Sequence, residues 1–254
     1  MKNVKVILWG LGAMGGGIGK MLTKKKGVDI VGAIDIGAKV GKSLYEVVPG
    51  IVKGDREDVI VGTPEEVIKP GVADIVVVCT NSFTKDVFDK LVFVMERGMN
   101  VITSAEEMAY PQAQEPELAK KLDEIAKKNG VSVMGTGINP GLIMDLLVVL
   151  WTAACEEVNH VTSRRVNSLS PFGPAVMEEQ GIGISVEEFN ERKANGTMAG
   201  HVGFAESTMM ICDALGWKWE DFGQDMEPIV TDVDRKSPYG FAAAGQVAGV
   251  AMKG

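Results

Sequence analysis

The stretch VKVILWGLGAMG, residues 4–15, decides the fold of this 254-residue chain. A short apolar run at 4–9 predicts a buried strand, and the G-x-G-x-x-G pattern that follows opens a predicted helix. In such a unit Gly10 permits the tight turn, Gly12 lets the backbone approach a pyrophosphate, and Gly15 lets the helix pack closely on the strand. The helix N-terminus also attracts phosphate groups. The predicted dinucleotide contacts in this stretch are Gly10, Gly12, Ala13, Met14 and Gly15.

Asp35 directly follows the second predicted strand, residues 28–34, and lies 20 residues after Gly15. A carboxylate at this spacing accepts hydrogen bonds from ribose hydroxyls and repels a 2′-phosphate, so it favours NAD over NADP. Lys39 and Lys42 follow closely, and the use of NADP therefore stays open. The alternative is a solvated turn aspartate without a ligand.

The first half of the chain alternates strand and helix patterns. Six apolar strands joined by helical segments predict a parallel, doubly wound α/β sheet of the Rossmann type, because parallel neighbours need crossover connections. We assign residues 1–135 to this dinucleotide-binding domain. The predicted strands are residues 4–9, 28–34, 59–61, 74–79, 100–103 and 131–134.

The pattern changes after the segment GTGINPG, residues 135–141. Residues 136–254 are expected to form a smaller α+β domain for substrate binding and dimerisation. Its predicted helices are residues 142–155, 186–194 and 202–215, its predicted strands are residues 158–167, 226–232 and 246–252, and residues 168–183 are predicted to be a loop.

The strand at 246–252 stops without a turn or a closing helix. Either the chain ends on a sheet edge or it is C-terminally truncated, and we favour truncation. A free sheet edge would make a homodimer plausible through strand pairing.

Composition excludes several classes of function. The formal net charge of −8 argues against nucleic acid as a partner, since phosphate binding needs a basic face. Three separated cysteines have no metal-ligand spacing, so no metal site is expected. Neither a signal peptide nor an apolar segment of about 20 residues is evident, so we expect a cytoplasmic protein that does not enter a membrane.

Polar residues follow the fourth and fifth predicted strands, where ligands bind in open α/β sheets. Residues predicted to contact the cofactor here are Cys79, Thr80, Asn81 and Thr103, and Ser104 is predicted to contact substrate. Glu106 and Glu107 follow directly. A carboxylate beside a nicotinamide could bind a substrate ammonium and act as a general base. The alternative is that both glutamates complement a helix dipole.

The second half adds further candidates. The segment 135–141 is expected to line a cleft, with Gly137 and Asn139 near the substrate and Asn139 also near the cofactor. Asp145 either faces that cleft or caps a neighbouring group. His201, where a loop meets a helix, and Arg164, on a predicted strand, are candidates for binding a substrate carboxylate. A structural histidine and a surface arginine are the alternatives, and His160 is expected at the surface.

Four motifs carry a family resemblance. They are WGLGAMGGGIGKML at 9–22, TSAEEMAYP at 103–111, GTGINPGLIMD at 135–145 and GHVGFAES at 200–207. The first half resembles the dihydrodipicolinate reductase superfamily, and the whole chain more closely resembles the 2,4-diaminopentanoate dehydrogenases and related native amine dehydrogenases. The His-His-x-x-Lys stretch of the reductases is absent from this sequence.

The resemblance implies an activity. It implies NAD(P)-dependent oxidation of 2,4-diaminopentanoate to 2-amino-4-oxopentanoate and ammonia, a step of ornithine degradation, and it puts the catalytic carboxylate on the Glu106–Glu107 pair. It also implies that members of the family continue beyond the end of this chain. Two alternatives stay open: a pyridine-nucleotide reductase of an imine or a small carbonyl compound, and a non-catalytic NAD-binding sensor.

Overall fold

The computed structural model describes residues 2–171, 173–198 and 200–254, and for Ala175 the backbone alone. These residues form two compact units, the first ending at Leu147 and the second running from Val148 to Gly254. The boundary predicted near Gly135 precedes this division, so the segment 136–147 belongs to the first unit. The assignment of substrate binding to the second domain stays a prediction.

One six-stranded sheet organises the described part of the first unit. Its strand order is β3-β2-β1-β4-β5-β6, and each neighbouring pair is parallel. The chain reverses direction across the sheet between β1 and β4, which is the switch point where dinucleotides bind in this architecture. The strands are β1 Val4–Trp9, β2 Val28–Ile34, β3 Val61–Gly62, β4 Ile75–Val78, β5 Asn100–Thr103 and β6 Val133–Gly135.

Helices connect these strands. They are α1 Ala13–Leu22, α2 Leu44–Val47, α3 Pro64–Val67, α4 Thr84–Met95 and α5 Pro116–Asn129. In α4 the residues Val87, Leu91 and Val94 are fully buried against the sheet, because their three- and four-residue spacing puts them on one face. The Rossmann-type sheet predicted from the sequence is confirmed.

The second unit is smaller and mixed. It contains the helices α7 Pro174–Glu179, α8 Val186–Ala194 and α9 Phe204–Leu215, and the strands β7 Asp225–Val230, β8 Arg235–Lys236, β9 Phe241–Ala242 and β10 Val247–Lys253. In the described residues β10 pairs antiparallel with β7, and β8 pairs with β9. Phe189, Met198 and Val247 form the buried centre.

Two predictions for this half were wrong. Residues 158–167 form no strand in the described chain, since no neighbouring strand accepts their backbone hydrogen bonds, and Val166 is 89% exposed. The predicted loop 168–183 contains α7, which begins at Pro174, where proline is well tolerated.

The helix predicted from residue 142 begins later. Helix α6 spans Leu146–Thr152 and crosses from the first unit into the second. The preceding turn is wider than an α-helix, because the Leu147 N–H donates to the Leu142 carbonyl five residues back. None of the helices among the described residues is both long enough and apolar enough to cross a membrane.

Candidate functional site

The glycine loop sits at the switch point of the sheet. Gly10 has a φ of +94°, and a Cβ atom there would lie 2.5 Å from the Cys79 carbonyl oxygen, so only glycine fits. A Cβ at Gly15 would lie 1.8 Å from the Gly10 carbonyl oxygen. This contact lets α1 begin directly against the end of β1.

The beginning of α1 is open. A Cβ at Gly12 would meet nothing within 4 Å. Among the described residues no side chain caps this helix, and its first turn contains no acidic residue. Its first N–H groups have no partner within the helix. The loop therefore fits the pyrophosphate of a dinucleotide, with Ala13 and Met14 exposed beside it.

Asp35 ties the glycine loop to the end of β2. Its Oδ2 atom accepts the Leu11 N–H at 2.8 Å and the Lys39 ammonium at 2.8 Å, and its Oδ1 atom accepts the Ile36 N–H at 2.7 Å. Burial acts to raise the pKa of Asp35, but these hydrogen bonds outweigh it and the pKa is lowered. Asp35 is thus a charged carboxylate with acceptor capacity left on Oδ1.

Lys39 adds a positive charge at the same place. Its ammonium also donates to the Leu11 carbonyl at 3.1 Å, which leaves one of its three protons for another acceptor. Lys42 is exposed. The end of β2 therefore carries a carboxylate and an ammonium side by side.

The residues after β4 lie against the glycine loop. The Cys79 N–H donates to the Trp9 carbonyl at 2.7 Å, and Thr80 Cγ2 lies 3.1 Å from the position of a Cβ on Gly10. Burial raises the pKa of the Cys79 thiol, and a hydrogen bond with the Ser104 side chain offsets part of this. Thr80 and Asn81 are exposed.

A lysine that sequence reasoning missed reaches this strand end. Lys90 on α4 donates to Thr80 Oγ1 at 3.1 Å, to Asn81 Oδ1 at 2.6 Å and to the Asp86 carbonyl at 3.1 Å. Burial lowers the pKa of Lys90, and the charge of Asp86 offsets part of this. In the sequence Lys90 is recognisable only as a lysine next to the buried Leu91, on a helix that follows a strand end. Many surface lysines have the same position, so the sequence could not single it out.

Glu106 and Glu107 have different environments in the structure. Glu107 is 7% exposed, its Oε2 atom accepts the Thr84 N–H at 2.7 Å, and its own N–H donates to the Ser82 carbonyl. It thereby supplies the first turn of α4 with a carboxylate. Glu106 is partly exposed and belongs to the 3₁₀ turn Glu106–Ala109. Glu106 is therefore the carboxylate left available for a ligand.

Thr103 is fully buried, and its hydroxyl oxygen accepts the Ala105 N–H at 3.1 Å. It shapes the turn that carries Glu106, and its contact with a cofactor stays a prediction. Ser104 is partly exposed next to it.

The segment after β6 folds around Asp145. A Cβ at Gly135 would lie 1.9 Å from the Met108 carbonyl oxygen, so β6 passes close to the turn that carries Glu106. Asp145 is fully buried, and its carboxylate accepts the Gly141 and Leu146 N–H groups, each at 2.6 Å. Asp145 thus caps its own loop. Of the two predicted alternatives, a residue facing the cleft and a residue capping a neighbouring group, the structure has the second. Gly137 is exposed and Asn139 partly exposed.

The second unit contains Arg164 and His201, the two candidates for binding a substrate carboxylate. Arg164 is exposed in a segment that is not a strand, so its predicted position on a strand was wrong. The His201 ring packs edge-on against Phe204 at 4.9 Å, and the backbone N–H of His201 donates to Met252 Sδ at 3.1 Å. His160, as expected, is exposed.

Among the described residues no group of three or more histidine, cysteine or acidic side chains could hold a metal ion.

Comparison with known proteins identifies close relatives. Residues 142–254 match the family model of the 2,4-diaminopentanoate dehydrogenase C-terminal domain. The whole chain is 66% identical over 255 residues to a 2,4-diaminopentanoate dehydrogenase from Acetoanaerobium sticklandii and covers 72% of its length. The fold is similar to that of an amine dehydrogenase from Mycobacterium smegmatis, with a TM-score of 0.73 and 26% identity over 99% of this chain and 74% of that one.

Proposed function

This chain belongs to the 2,4-diaminopentanoate dehydrogenase family, and on that premise we propose that it oxidises an amine with a nicotinamide cofactor. It is an oxidoreductase acting on a CH–NH₂ group. The substrate we propose is 2,4-diaminopentanoate, converted to 2-amino-4-oxopentanoate and ammonia. The observation that carries the proposal is the available carboxylate of Glu106 at the carboxyl end of β5, next to β4 at the switch point.

The overall reaction balances as follows. The substrate ammonium, the oxidised cofactor and one water give the ketone, an ammonium ion, the reduced cofactor and one proton. When bound, the nicotinamide supplies the two-electron acceptor for the hydrogen on the amine-bearing carbon. The chain's own residues must then hold the amine, move its proton and activate the water.

Glu106 performs the proton transfers in this proposal. Its carboxylate accepts a proton from the substrate ammonium, which leaves the amine lone pair free to form a C=N bond as the carbon is oxidised. Once this proton has passed to solvent, the same carboxylate takes a proton from the water that attacks the C=N carbon and returns it to the nitrogen. Ammonia then leaves as the new hydroxyl group loses its proton and becomes the ketone oxygen. Glu107 keeps the turn in place through its bond to the Thr84 N–H.

The substrate needs further contacts. We propose Ser104, Gly137, Asn139, Arg164 and His201 as substrate-binding residues. Arg164 and His201 are assigned to the carboxylate of the substrate, because both side chains can donate hydrogen bonds to it.

We propose NAD as the cofactor, with NADP also accepted. Asp35 suits the ribose hydroxyls of NAD, and the neighbouring Lys39 ammonium offers a counter-charge to a 2′-phosphate. We further propose a cytoplasmic homodimer acting in ornithine degradation. The dimer is supported by the exposed apolar residues Leu146, Leu150 and Trp151 of α6, because clustered apolar surface is typical of interfaces.

A substrate panel tests the proposal. The chain is assayed at 340 nm with NAD⁺ and with NADP⁺, against 2,4-diaminopentanoate, other amines, and imines or carbonyl compounds in the reverse direction. Amine-dependent formation of reduced cofactor is expected. Turnover of carbonyl or imine substrates without any amine oxidation would favour the reductase alternative, and NADH binding without turnover would favour the sensor.

A further inference from the structure

Lys90 connects the second turn of α4 to the residues that follow β4. Its ammonium donates three hydrogen bonds, to Thr80 Oγ1, Asn81 Oδ1 and the Asp86 carbonyl. Helical side chains lean toward the N-terminus of their helix, which directs Lys90 toward this strand end. The three bonds use its full donor capacity.

The chemistry of an ammonium fixes the orientation of both partners. Because an ammonium cannot accept a hydrogen bond, the amide atom of Asn81 that faces it at 2.6 Å must be Oδ1. The Nδ2 group of Asn81 then points away from Lys90 with both protons. In the same way the Thr80 hydroxyl accepts from Lys90 through its oxygen, so its own proton is directed elsewhere.

The two oriented donors lie where a dinucleotide would pass. Thr80 touches the space beside Gly10, and Thr80 and Asn81 are both exposed at the end of β4, across the switch point from the glycine loop. The phosphate oxygens and the carboxamide carbonyl oxygen that a dinucleotide brings to this position accept hydrogen bonds. Donors aimed at acceptors strengthen binding, whereas an amide turned the other way would present an oxygen to them.

We propose that Lys90 is a positioning residue that holds Thr80 and Asn81 as hydrogen-bond donors toward the bound dinucleotide. The proposal rests on the proposed function, since it needs a nicotinamide cofactor at the switch point. It extends that function by naming a residue that need not touch the cofactor and acts through two others.

Binding of NADH, followed by its fluorescence, tests the proposal on the full chain. Lys90→Met keeps the aliphatic stem and removes the three donors. It is expected to raise the Kd for NADH about tenfold, which corresponds to the loss of one to two net hydrogen bonds from Thr80 and Asn81 to the dinucleotide. In an Asn81→Ala background the same change is expected to raise the Kd by about threefold or less, because the residue it orients is gone. Equal effects in both backgrounds, or no effect of Lys90→Met, would overturn the proposal.

Asn81→Asp tests the donor directly and does not depend on the stability of the Lys90 variant. Aspartate is nearly isosteric and keeps the contact with Lys90, but it replaces the outward-facing NH₂ with an oxygen. A rise in the Kd of about tenfold or more is expected, and an unchanged Kd would contradict the assignment.

A matched control is Lys127→Met on α5, whose ammonium forms an exposed ion pair with Asp123. It is expected to leave the Kd unchanged. A rise in the Kd equal to that caused by Lys90→Met would mean that the loss of any positive charge weakens binding, and it would overturn the proposal. Because the readout is binding, a chain that binds NADH but oxidises no amine disproves the proposed function and still decides the role of Lys90. A wild-type chain that binds no NADH would overturn both.

Discussion

Two adjacent glutamates have different environments, and we propose different roles for them on that basis. Glu107 is buried and bonded to the Thr84 N–H, whereas Glu106 is partly exposed at the same strand end. Sequence alone left the two equivalent, because a 3₁₀ turn gives no period from which the buried side chain could be predicted. Only the packing of the turn against α4 distinguishes them.

Glu106→Gln is expected to lower kcat by about 10²- to 10⁴-fold, the usual range for removal of a general base. Glu107→Gln keeps an oxygen for the Thr84 N–H, so kcat is expected to stay within about threefold and the free energy of unfolding to fall by about 1 kcal/mol. Steady-state kinetics and urea denaturation measure both. The assignment is wrong if Glu107→Gln causes the larger loss of kcat.

Lys39 sits beside Asp35 and is predicted to govern the use of NADP. Lys39→Met is expected to lower kcat/KM for NADP⁺ about tenfold, because the 2′-phosphate loses its counter-charge and faces an uncompensated Asp35 carboxylate. The value for NAD⁺ is expected to change by about threefold or less. Parallel assays with the two cofactors measure the ratio, and an equal loss with both would refute this role.

At the scale of elements, α1 illustrates why the glycine pattern was a reliable guide. Gly10 and Gly15 face backbone atoms at distances that no Cβ tolerates, so the pattern reflects steric necessity. Gly17, two residues further along α1, faces open space and carries no such constraint. Alanine substitutions at Gly15 and Gly17 therefore compare a sterically closed and an open position within one helix.

Gly15→Ala is expected to lower the free energy of unfolding by about 3 kcal/mol and to weaken NADH binding, since the new Cβ forces α1 away from Gly10. Gly17→Ala is expected to raise the free energy of unfolding by about 0.5–1 kcal/mol, because alanine favours the helix. Thermal or urea denaturation distinguishes the two. Equal effects at both positions would contradict the steric account.

Elements in the first unit were predicted more accurately than those in the second. Buried parallel strands such as β4 read as continuous β-branched runs, and crossover helices such as α4 show one apolar face. Residues 158–167 instead alternate polar and apolar residues, a pattern that also predicts a strand, but no strand pairs with them in the described chain. The sequence cannot show that a pairing partner is absent. The contacts of Lys90 were likewise invisible, because they depend on how α4 docks beside β4.

For the whole molecule, the comparisons extend over the full chain, which covers 72% of the length of its relative from Acetoanaerobium sticklandii. The resemblance predicted from four separated motifs is confirmed by that relationship. The motifs succeeded because they lie in both units, so no single one had to carry the family assignment.

The proposed homodimer predicts a mass of about 54 kDa by light scattering, twice that of the 27.1 kDa chain. Trp151 on α6 is 67% exposed and is expected to lie in the interface. Trp151→Glu is therefore expected to shift the mass toward that of one chain, because an interface does not tolerate an unpaired charge. A wild-type mass of 27 kDa would refute the dimer without affecting the chemistry.

The central claim is oxidative deamination, and reaction stoichiometry tests it most directly. The chain is incubated with NAD⁺ and 2,4-diaminopentanoate, and reduced cofactor and free ammonia are measured in the same sample. The account predicts that the two products appear in a one-to-one ratio and that both disappear in Glu106→Gln. Formation of reduced cofactor without ammonia, or no formation of either by a chain that binds NADH, would contradict it.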